Sequence, residues 1–406
     1  MNIIHCPRRF TRASWGGTET CLLSLAKMQQ GAGHDVQVMS TKALDCGATE
    51  VVEAIAVRRF DYIYPWFGLT QDVKQALDHS GGNLFSIGLL RGLLAEKEVD
   101  VLHAHSGKRL GGIVRTAAKI KKIPYVVSLH GGLFDIPEVI SEARDERQQG
   151  KFEWGKILGA AVGARRVYED AAAIFCLSDS EKKAAEKQFP NARIEYLPNG
   201  VDVNRFKNAN KKNFRQQWGI SESAKVILNL SRIDPQKNQL KLVDTLPHLL
   251  KTVPEAHLLI IGHITDPVYH QRLLRRVDDL GLQAKVTIIA GIDYFDPQLV
   301  AAYKASDVFC LPSVHEPFGI VVLEAWAAGL PVVANAVGGI GDFTQDGIDI
   351  LHSGDDTPKS WAKKITMALE PNIAGHIRTS ASLRVAREYD WSVIGRRVTN
   401  IYEEVK

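Results

Sequence analysis

The chain has 406 residues, of which 45% are hydrophobic and 24% are charged, and its formal net charge is +4. This length exceeds the usual size of one hydrophobic core, so we expect two domains of roughly 150–200 residues each. No stretch approaches the ~20 apolar residues that a membrane-spanning helix needs, and the net charge is too small to indicate nucleic-acid binding. An integral membrane protein and a nucleic-acid-binding protein are therefore not expected.

The start of the chain, "MNIIHCPRRF", has a short apolar run followed by arginines. This is the reverse of the order in a secretory signal, so we expect a cytoplasmic protein. Five scattered cysteines lie mostly in apolar, strand-like runs, and we expect reduced core thiols without a disulfide framework or a metal-binding spacing. They are Cys6, Cys21, Cys46, Cys176 and Cys310.

The first half of the chain alternates short β-branched runs with helical-period segments. Strands are predicted at "NIIHC", "DVQVMS", "VDVLHAH", "PYVVSLH" and "AIFCLS", with helices between them at "TETCLLSLAKMQQ" and "LFSIGLLRGLLAEK". Such alternation is typical of a parallel sheet covered by helices, a doubly wound Rossmann-like α/β fold.

Three features of this half could face a ligand. Gly16 and Gly17 in "SWGGTET" close the first strand-to-helix loop, where missing side chains let the backbone approach a ligand. The alternative, which a Gly-Gly pair alone favours, is a plain tight turn. Their spacing departs from the dinucleotide-binding motif, which argues against a nicotinamide enzyme. His103 and His105 in "LHAHS", and His130 after "PYVVSLH", end predicted strands and are expected at the ligand-binding edge.

An aromatic stretch, "DYIYPWFGLT", contains Tyr62, Tyr64, Trp66 and Phe67. It is compatible with an acceptor platform, a lipid-touching loop or a packed hairpin. We consider Trp66 a candidate acceptor-side residue.

The alternation of strand-like and helix-like hydrophobic patterns stops near residues 195–220, which predicts a linker there. This segment, "LPNGVDVNRFKNANKKNFRQQWGI", is rich in turn residues and lysines. A second series of strands follows at "KVILNLS", "AHLLIIG", "KVTIIAG", "DVFCLPS" and "PVVANA". Two doubly wound domains joined there are expected to face each other across a cleft, where ligands of such sheets bind. The final segment, "DWSVIGRRVTNIYEEVK", predicts an amphipathic helix with Asp390 as its N-cap.

Two glutamates interrupt the apolar run "HEPFGIVVLEAWAAGLPVVA". The segment predicts a loop and then a buried helix, whose first amides, from Phe318 to Val321, could bind a phosphate. Glu316 and Glu324 would then accept hydrogen bonds from hydroxyl groups. The alternative is that Glu316 favours the helix dipole and Glu324 lies on a solvated face.

Two cations in "NLSRIDPQKNQL", Arg232 and Lys237, follow the first strand of the second series. A proline-containing turn could aim both at the same edge of the sheet, beside the helix N-terminus, and so make a diphosphate site. The alternative is an exposed basic turn.

"SRIDPQKN", followed about 80 residues later by "EPFGIVVLE", resembles the Arg-x4-Lys and Glu-x7-Glu signatures of family 4 glycosyltransferases. These are retaining enzymes of the GT-B fold. The resemblance also includes "GGTET", "LHGG", "LPNGVD" and the closing helix, which in that fold crosses back to the first domain. It implies an acceptor-side domain at 1–196 with the closing helix at 390–406, and a donor-binding domain at 197–389.

The resemblance also implies roles for residues. Arg232 and Lys237 would hold the diphosphate of a nucleotide sugar, Glu316 the hydroxyls of the donor sugar and Glu324 the ribose. His130 would lie by the reacting sugar, with His103 and His105 on the acceptor side. Backbone or nucleobase contacts are expected from Gly16, Gly17, Ile292, Asp293, Phe318, Gly319, Ile320 and Val321.

The chain has no Asp-x-Asp triple to anchor a metal across a diphosphate, so we expect no cofactor and metal-independent turnover, with Arg232 and Lys237 neutralising the leaving group. The expected reaction moves a hexose-type sugar from a nucleoside diphosphate to a hydroxyl of a carbohydrate or lipid-linked acceptor. Peripheral contact with the inner face of the membrane would suit such an acceptor, in polysaccharide, lipid-linked oligosaccharide or glycoconjugate synthesis. The alternatives are a nucleotide-sugar epimerase on the same fold and a non-catalytic nucleotide- or carbohydrate-binding protein.

Overall fold

The computed structural model describes residues 1–44, 47–131, 153–207 and 213–406. It divides into two compact units, the first comprising Met1–Asn199 with Trp391–Lys406 and the second Gly200–Asp390. The unit boundaries thus fall at 199/200 and 390/391, against predicted boundaries at 196/197 and 389/390. Cys46 and part of the predicted linker, 208–212, lie outside the described residues.

The first unit is built on an eight-stranded sheet with the order β3-β4-β2-β1-β5-β6-β7-β8. Every pairing is parallel except that of β3 with β4. The strands are β1 (Asn2–Cys6), β2 (Asp35–Thr41), β3 (Thr49–Val52), β4 (Ile55–Phe60), β5 (Val101–Ala104), β6 (Tyr125–Ser128), β7 (Ala173–Cys176) and β8 (Ile194–Tyr196). Strands β5, β6 and β7 are buried along their whole length, as expected of central parallel strands with helices on both faces.

The helices of the first unit follow the strands in chain order. They are α1 (Gly17–Gly31), α2 (Gln71–Ser80), α3 (Ile87–Ala95), α4 (Lys108–Lys121), α5 (Lys156–Ala161) and α6 (Asp179–Gln188), with short 3₁₀ turns at Arg12–Ser14 and Ala164–Arg166. Cys6, Cys21 and Cys176 are buried thiols in this unit, as predicted.

The second unit has a six-stranded parallel sheet with the order β11-β10-β9-β12-β13-β14. Its strands are β9 (Lys225–Leu230), β10 (Ala256–Ile261), β11 (Val286–Ile289), β12 (Val308–Leu311), β13 (Val332–Ala334) and β14 (Leu351–His352). Its helices are α7 (Val203–Lys207), α8 (Phe214–Gln217), α9 (Gln239–Leu249), α10 (Pro267–Asp279), α11 (Pro297–Lys304), α12 (Ile320–Ala328), α13 (Gly339–Phe343), α14 (Pro358–Leu369) and α15 (Pro371–Arg384), with a 3₁₀ turn at Gln283–Lys285 and a π turn at Val385–Tyr389.

The closing helix, α16 (Trp391–Val405), belongs to the first unit. It buries Trp391, Ile394, Val398 and Tyr402, which lie on one face of the helix, as an amphipathic helix requires. It approaches α1 so closely that a Cβ added at Gly395 would lie 3.0 Å from Met28 Cβ. The prediction that this helix returns to the first domain is confirmed.

In the part of the chain that the structure describes, every helix is too short or too polar to cross a membrane.

Candidate functional site

The strand order of the second sheet changes direction between β9 and β12. Ligands of open α/β sheets bind at the carboxyl ends of the strands at such a point. The chain runs outward from β9 through β10 to β11, then starts again at β12 on the other side of β9. Loops that follow β9 and β12 therefore leave the same carboxyl edge in opposite directions. Arg232 and Lys237 follow β9, and Glu316 follows β12, so the fold brings these predicted residues together.

Two hydrogen bonds join the loop after β9 to the loop after β12. The Val314 amide donates to Gln236 O over 2.9 Å, and Gln236 Nε2 donates to His315 O over 3.0 Å. Sequence reasoning missed Gln236, because it lies between the two cations and only the fold shows its partner. The bonds hold Lys237 and Glu316 in a set position relative to each other.

Lys237 Nζ donates to Glu316 Oε2 over 2.5 Å, and the two side chains are only 12% and 10% exposed. An ammonium group has three donors, so Lys237 can bind an anion while it keeps Glu316. Glu316 also accepts from the Ser313 hydroxyl over 3.4 Å. The alternative of an exposed basic turn is wrong for Lys237, because its side chain is largely covered and pairs with Glu316.

Arg232 differs from Lys237 because its side chain is 52% exposed. Its guanidinium lies 3.2 Å from Asp234 Oδ2, while its backbone carbonyl accepts from Gln239 Nε2 over 2.7 Å. Gly262, at the end of β10, allows this backbone path, since a Cβ there would lie 1.7 Å from Ser231 O. The backbone of Arg232 is thus rigidly held and its charge is accessible to a ligand.

The loop that leads into α12 offers backbone groups. Phe318 is buried and stacks on Phe343 with ring centroids 4.8 Å apart, so its ring serves the core. Gly319 has a φ of 98° and precedes the helix. The amides of Ile320 and Val321 come before the first helical hydrogen bond and have no partner among the described residues, which leaves them available to an anion.

Two glycines that sequence reasoning missed, Gly338 and Gly339, pack against the backbone of the loop that leads into α12. A Cβ at Gly338 would lie 2.2 Å from Glu316 O, and the Gly339 amide donates to that same oxygen over 3.0 Å. Their position as two adjacent glycines shortly after the predicted strand "PVVANA" could have indicated a close backbone contact.

Replacing Gly338 with alanine is expected to lower the free energy of unfolding by about 3 kcal/mol, because the new methyl group overlaps a backbone carbonyl that cannot move freely. Gly347→Ala is the matched control, because Gly347 also has a positive φ but a Cβ there meets nothing within 4 Å. Backbone strain alone is expected to cost Gly347→Ala about 1 kcal/mol. Equal midpoints for the two variants in urea denaturation would contradict the contact between Gly338 and Glu316.

Glu324 lies inside α12 and is only 7% exposed. Its Oε2 accepts from the Tyr303 hydroxyl over 2.7 Å. Burial raises the pKa of Glu324, and the Tyr303 hydrogen bond and the charge of Arg205 partly offset this rise. The alternative that Glu324 is a solvated surface residue is wrong, and its contact with a ribose stays a prediction.

The predicted nucleobase residues follow β11. Asp293 is exposed, and its carboxylate accepts from the Phe295 amide over 2.8 Å, which closes a tight turn. Ile292 is partly buried. Among the described residues, no hydrogen bond or ion pair joins Ile292 or Asp293 to the Lys237–Glu316 pair. Sequence reasoning missed the neighbouring contact of Arg205, whose guanidinium lies 4.3 Å from the centre of the Tyr294 ring.

In the first unit, Gly16 precedes α1 and Gly17 begins it. Gly16 has an extended backbone that other residues also adopt, and a Cβ there would lie 3.3 Å from Glu19 Oε2. The geometry fits a plain turn as well as a ligand-binding loop, so a role in donor binding stays a prediction for both.

The three predicted histidines lie in or after β5 and β6, beside the point where the order of the first sheet reverses between β1 and β5. His103 is fully buried, and its two ring nitrogens bond to Ser128 Oγ over 2.7 Å and to the Tyr402 hydroxyl over 2.5 Å. His105 is also buried, with bonds to His5 and His130. Both rings therefore have hydrogen-bond partners within the protein at each nitrogen, and their place on the acceptor side stays a prediction. His130 is partly exposed.

His5, His103 and His105 bring one nitrogen each within 4.8 Å of one another. A metal ion would need lone pairs from all three, yet every ring nitrogen in this group already has a hydrogen-bond partner. The group fits a hydrogen-bond network better than a metal site.

The aromatic stretch is mostly packed. The hydroxyls of Tyr62 and Tyr64 donate to the two carboxylate oxygens of Asp78, over 2.6 and 2.8 Å. Trp66 packs against the core and forms an isolated bridge with Glu153. The two tyrosines are packed, but the stretch, all of which the structure describes, is irregular chain with isolated bridges and forms no hairpin, and Phe67 is 62% exposed. The role of Trp66 on the acceptor side stays a prediction.

Two family models match the chain. The model "Glycosyl transferase 4-like domain" matches residues 16–200, and the model "Glycosyl transferases group 1" matches residues 210–380. The second match contains Arg232, Lys237, Glu316 and Glu324.

Curated relatives match the chain almost from end to end. A D-inositol 3-phosphate glycosyltransferase of Nocardioides sp. is 26% identical, with 96% of this chain and 86% of the relative covered. A phosphatidyl-myo-inositol mannosyltransferase of Mycobacterium leprae is 25% identical, with 98% and 96% covered.

Solved structures share the fold. The Anabaena protein Alr3699/HepE, in complex with UDP and glucose, superimposes with a TM-score of 0.71 at 18% identity, and both chains are covered completely. Sucrose-phosphate synthase from Thermosynechococcus elongatus gives a TM-score of 0.70 at 19% identity, with 100% of this chain and 99% of the other covered. Taken with the family models and the curated relatives, this likeness shows that the chain is a glycosyltransferase of family 4 with the GT-B fold.

Proposed function

We propose that the second unit binds a nucleoside-diphosphate sugar and that the enzyme transfers its hexose-type sugar to a hydroxyl acceptor with retention of the anomeric configuration. The observation that carries this proposal is the bond between Lys237 and Glu316 at the switch point of the second sheet. A fixed cation for a diphosphate and a fixed carboxylate for sugar hydroxyls lie side by side. Arg232 and the free amides at the start of α12 supply further groups that bind anions.

In the proposed reaction, the bond between the anomeric carbon and the diphosphate breaks, and its electron pair goes to the phosphate oxygen. The acceptor oxygen bonds to the same face of that carbon, and its proton passes to the departing phosphate. Negative charge grows on the leaving group, where Arg232, Lys237 and the amides of Ile320 and Val321 stabilise it. We propose that these groups replace a divalent cation, so that turnover needs no metal.

The acceptor is proposed as a carbohydrate or a lipid-linked polyol. Relatives named for inositol phosphate and phosphatidylinositol acceptors support this class. A lipid-linked acceptor would bring the enzyme to the inner face of the cell membrane as a peripheral protein, in polysaccharide, lipid-linked oligosaccharide or glycoconjugate synthesis.

The first test is thermal stability in the presence of UDP, GDP, ADP and TDP, each with and without magnesium. We expect one nucleotide to raise the melting temperature by several degrees independently of magnesium, because a ligand that binds the folded state stabilises it. The sugar form of that nucleotide is then tested for hydrolysis and transfer, and the configuration of the product is read by NMR.

The same assays separate the alternatives. An epimerase would isomerise the donor in the absence of any acceptor, and a binding protein would release no diphosphate. A nucleotide shift that requires magnesium would overturn the metal-independent part of the proposal. No shift with any nucleotide would overturn the donor site.

A further inference from the structure

Asp234 lies between the two cations of the loop after β9. Its side chain is only 11% exposed, whereas that of Arg232 is 52% exposed. Asp234 Oδ1 accepts from the Lys237 amide over 3.1 Å. Asp234 Oδ2 accepts from the Thr265 hydroxyl over 3.1 Å and lies 3.2 Å from Arg232 Nη2. One covered carboxylate is therefore in contact with both residues that are expected to bind the diphosphate.

The position of this carboxylate is fixed by its neighbours. The Asp234 carbonyl accepts from the Lys237 amide over 3.1 Å, which closes a turn of the loop. The preceding residue, Ile233, is fully buried, and its amide donates to His263 O of the loop after β10 over 2.9 Å. Thr265, which donates to the Asp234 carboxylate, belongs to that same loop. Asp234 can therefore set the position of a more exposed neighbour.

The Arg232 guanidinium is that neighbour. Its Nη2 lies beside Asp234 Oδ2 and donates to Gln236 Oε1 over 3.4 Å. Its Nε and Nη1 donate to no atom of the described residues. A guanidinium presents its five donors in a rigid plane, so an ion pair at one nitrogen restricts the direction of the others.

A carboxylate beside a diphosphate site has an electrostatic cost. Lys237 already pairs with Glu316, so Asp234 and Glu316 balance the charges of Arg232 and Lys237, and the four side chains carry no net charge. A bound diphosphate would be repelled by Asp234. An ion pair with a half-exposed arginine also contributes little to stability. The orientation of Arg232 is the advantage that offsets this cost.

We propose that Asp234 is a positioning residue, which orients the Arg232 guanidinium so that its Nε and Nη1 donate to the departing diphosphate. The orientation of Arg232 is a property of the second unit alone. The contact with the diphosphate rests on the proposed function.

Asp234→Asn tests this role because it keeps the shape of the side chain. The asparagine Oδ1 can still accept from the Lys237 amide, and Nδ2 can donate to the Thr265 hydroxyl, which is also able to accept. Only the pair with Arg232 is lost, because the amide carries no charge and presents a donor to a donor. The half-exposed guanidinium can turn to water, whereas the backbone amide of Lys237 cannot, so the side-chain orientation that keeps Lys237 is favoured.

The first experiment measures the order parameter of the Arg232 Nε–H bond by ¹⁵N relaxation of the full-length protein, without any substrate. We expect an ordered bond in the natural protein and a fall of the order parameter by about half in Asp234→Asn. Asp244→Asn is the matched control, because it breaks the ion pair with Arg276 between α9 and α10 of the same unit and should leave Arg232 unchanged. A mobile Arg232 in the natural protein, or an unchanged order parameter in Asp234→Asn, would overturn the proposal.

The second experiment is a double-mutant cycle on sugar transfer, with the nucleotide sugar found in the stability assay. We expect Asp234→Asn to lower kcat about tenfold in the natural protein but less than about twofold in Arg232→Ala, because a residue that acts through Arg232 has no effect once Arg232 is gone. Asp244→Asn should keep the natural kcat. Equal losses in both backgrounds would mean that Asp234 acts on the fold or on Lys237, which would refute its role as a positioning residue for Arg232. A failed donor site would appear in the nucleotide assay and leave the relaxation result intact.

Should Asp234→Asn not fold, Asp234→Ser removes the carboxylate while its hydroxyl can still accept from the Lys237 amide. We expect the same loss of kcat, and the same disappearance of that loss in the Arg232→Ala background. A loss that persists there would again count against the proposal.

Discussion

Replacing Arg232 with alanine is expected to lower the kcat of sugar transfer by about 10²–10³-fold, the usual loss when one group that stabilises developing charge is removed. The side chain is half-exposed and its backbone is anchored by Gln239, so its loss should leave the fold intact. Negative charge on the departing diphosphate would then be met only by Lys237 and by the amides of Ile320 and Val321. The measurement is steady-state transfer to a verified acceptor, together with hydrolysis of the donor in water.

Arg276→Ala is the matched control for this variant. Arg276 is similarly exposed and also pairs with an aspartate of its own unit, Asp244, over 2.6 Å. It does not lie on the loops after β9 and β12, so its loss should leave kcat unchanged. Near-normal transfer by Arg232→Ala, or an equal loss in both variants, would refute the assignment of Arg232 to the leaving group.

The stability of the first unit is expected to fall as the pH drops from 7 to 5. The pKa values of His5 and His130 are lowered by burial from 6.5 to about 4. Below pH 6.5 the unfolded chain therefore binds protons that the folded unit does not, and stability is lost until the pH reaches about 4. At pH 5 each of these histidines is expected to cost about 2 kcal/mol of unfolding free energy. His103 and His105 add to the loss in the same direction.

Urea denaturation of the full chain at several pH values between 7 and 5 measures this loss. His79, at the exposed end of α2, supplies the control, and His79→Gln should show the same pH dependence as the natural protein. His5→Leu removes one of the titrating groups and should reduce the slope by about one proton. A midpoint that stays constant between pH 7 and 5 would contradict the lowered pKa values, because it would mean that the folded and unfolded chains bind protons equally over this range.

Much of the donor site follows from local sequence signals. Arg232, Lys237 and Glu316 directly follow apolar strands, and side chains there gather at one edge of a parallel sheet. The strands "KVILNLS" and "DVFCLPS" could be predicted because they are buried on both faces and are therefore almost entirely apolar. The edge strand β3 and its neighbour β4 were missed, because charged residues interrupt both apolar patterns, Glu50 in β3 and Arg58 and Arg59 in β4.

Other parts of the site could not be read from the sequence. Gln236, Gly262 and Gly338 act through contacts with backbone atoms of another loop, and nothing in their own neighbourhood indicates which loop that is. Glu324 pairs with Tyr303 of α11, whose place beside α12 depends on how the helices pack.

The buried histidines of the first unit show most clearly the difference between what the sequence and what the tertiary structure determine. The sequence by itself determined that this is a doubly wound α/β protein, that cations and carboxylates follow its strands, and that histidines end β5 and β6, because hydrophobic period and turn residues are local properties. Only the tertiary structure decided that His5, Gln29 and His105 lead to His130 while His103 bonds to Ser128 and Tyr402. A buried polar group must find a partner, and the fold determines which distant residues can serve as that partner.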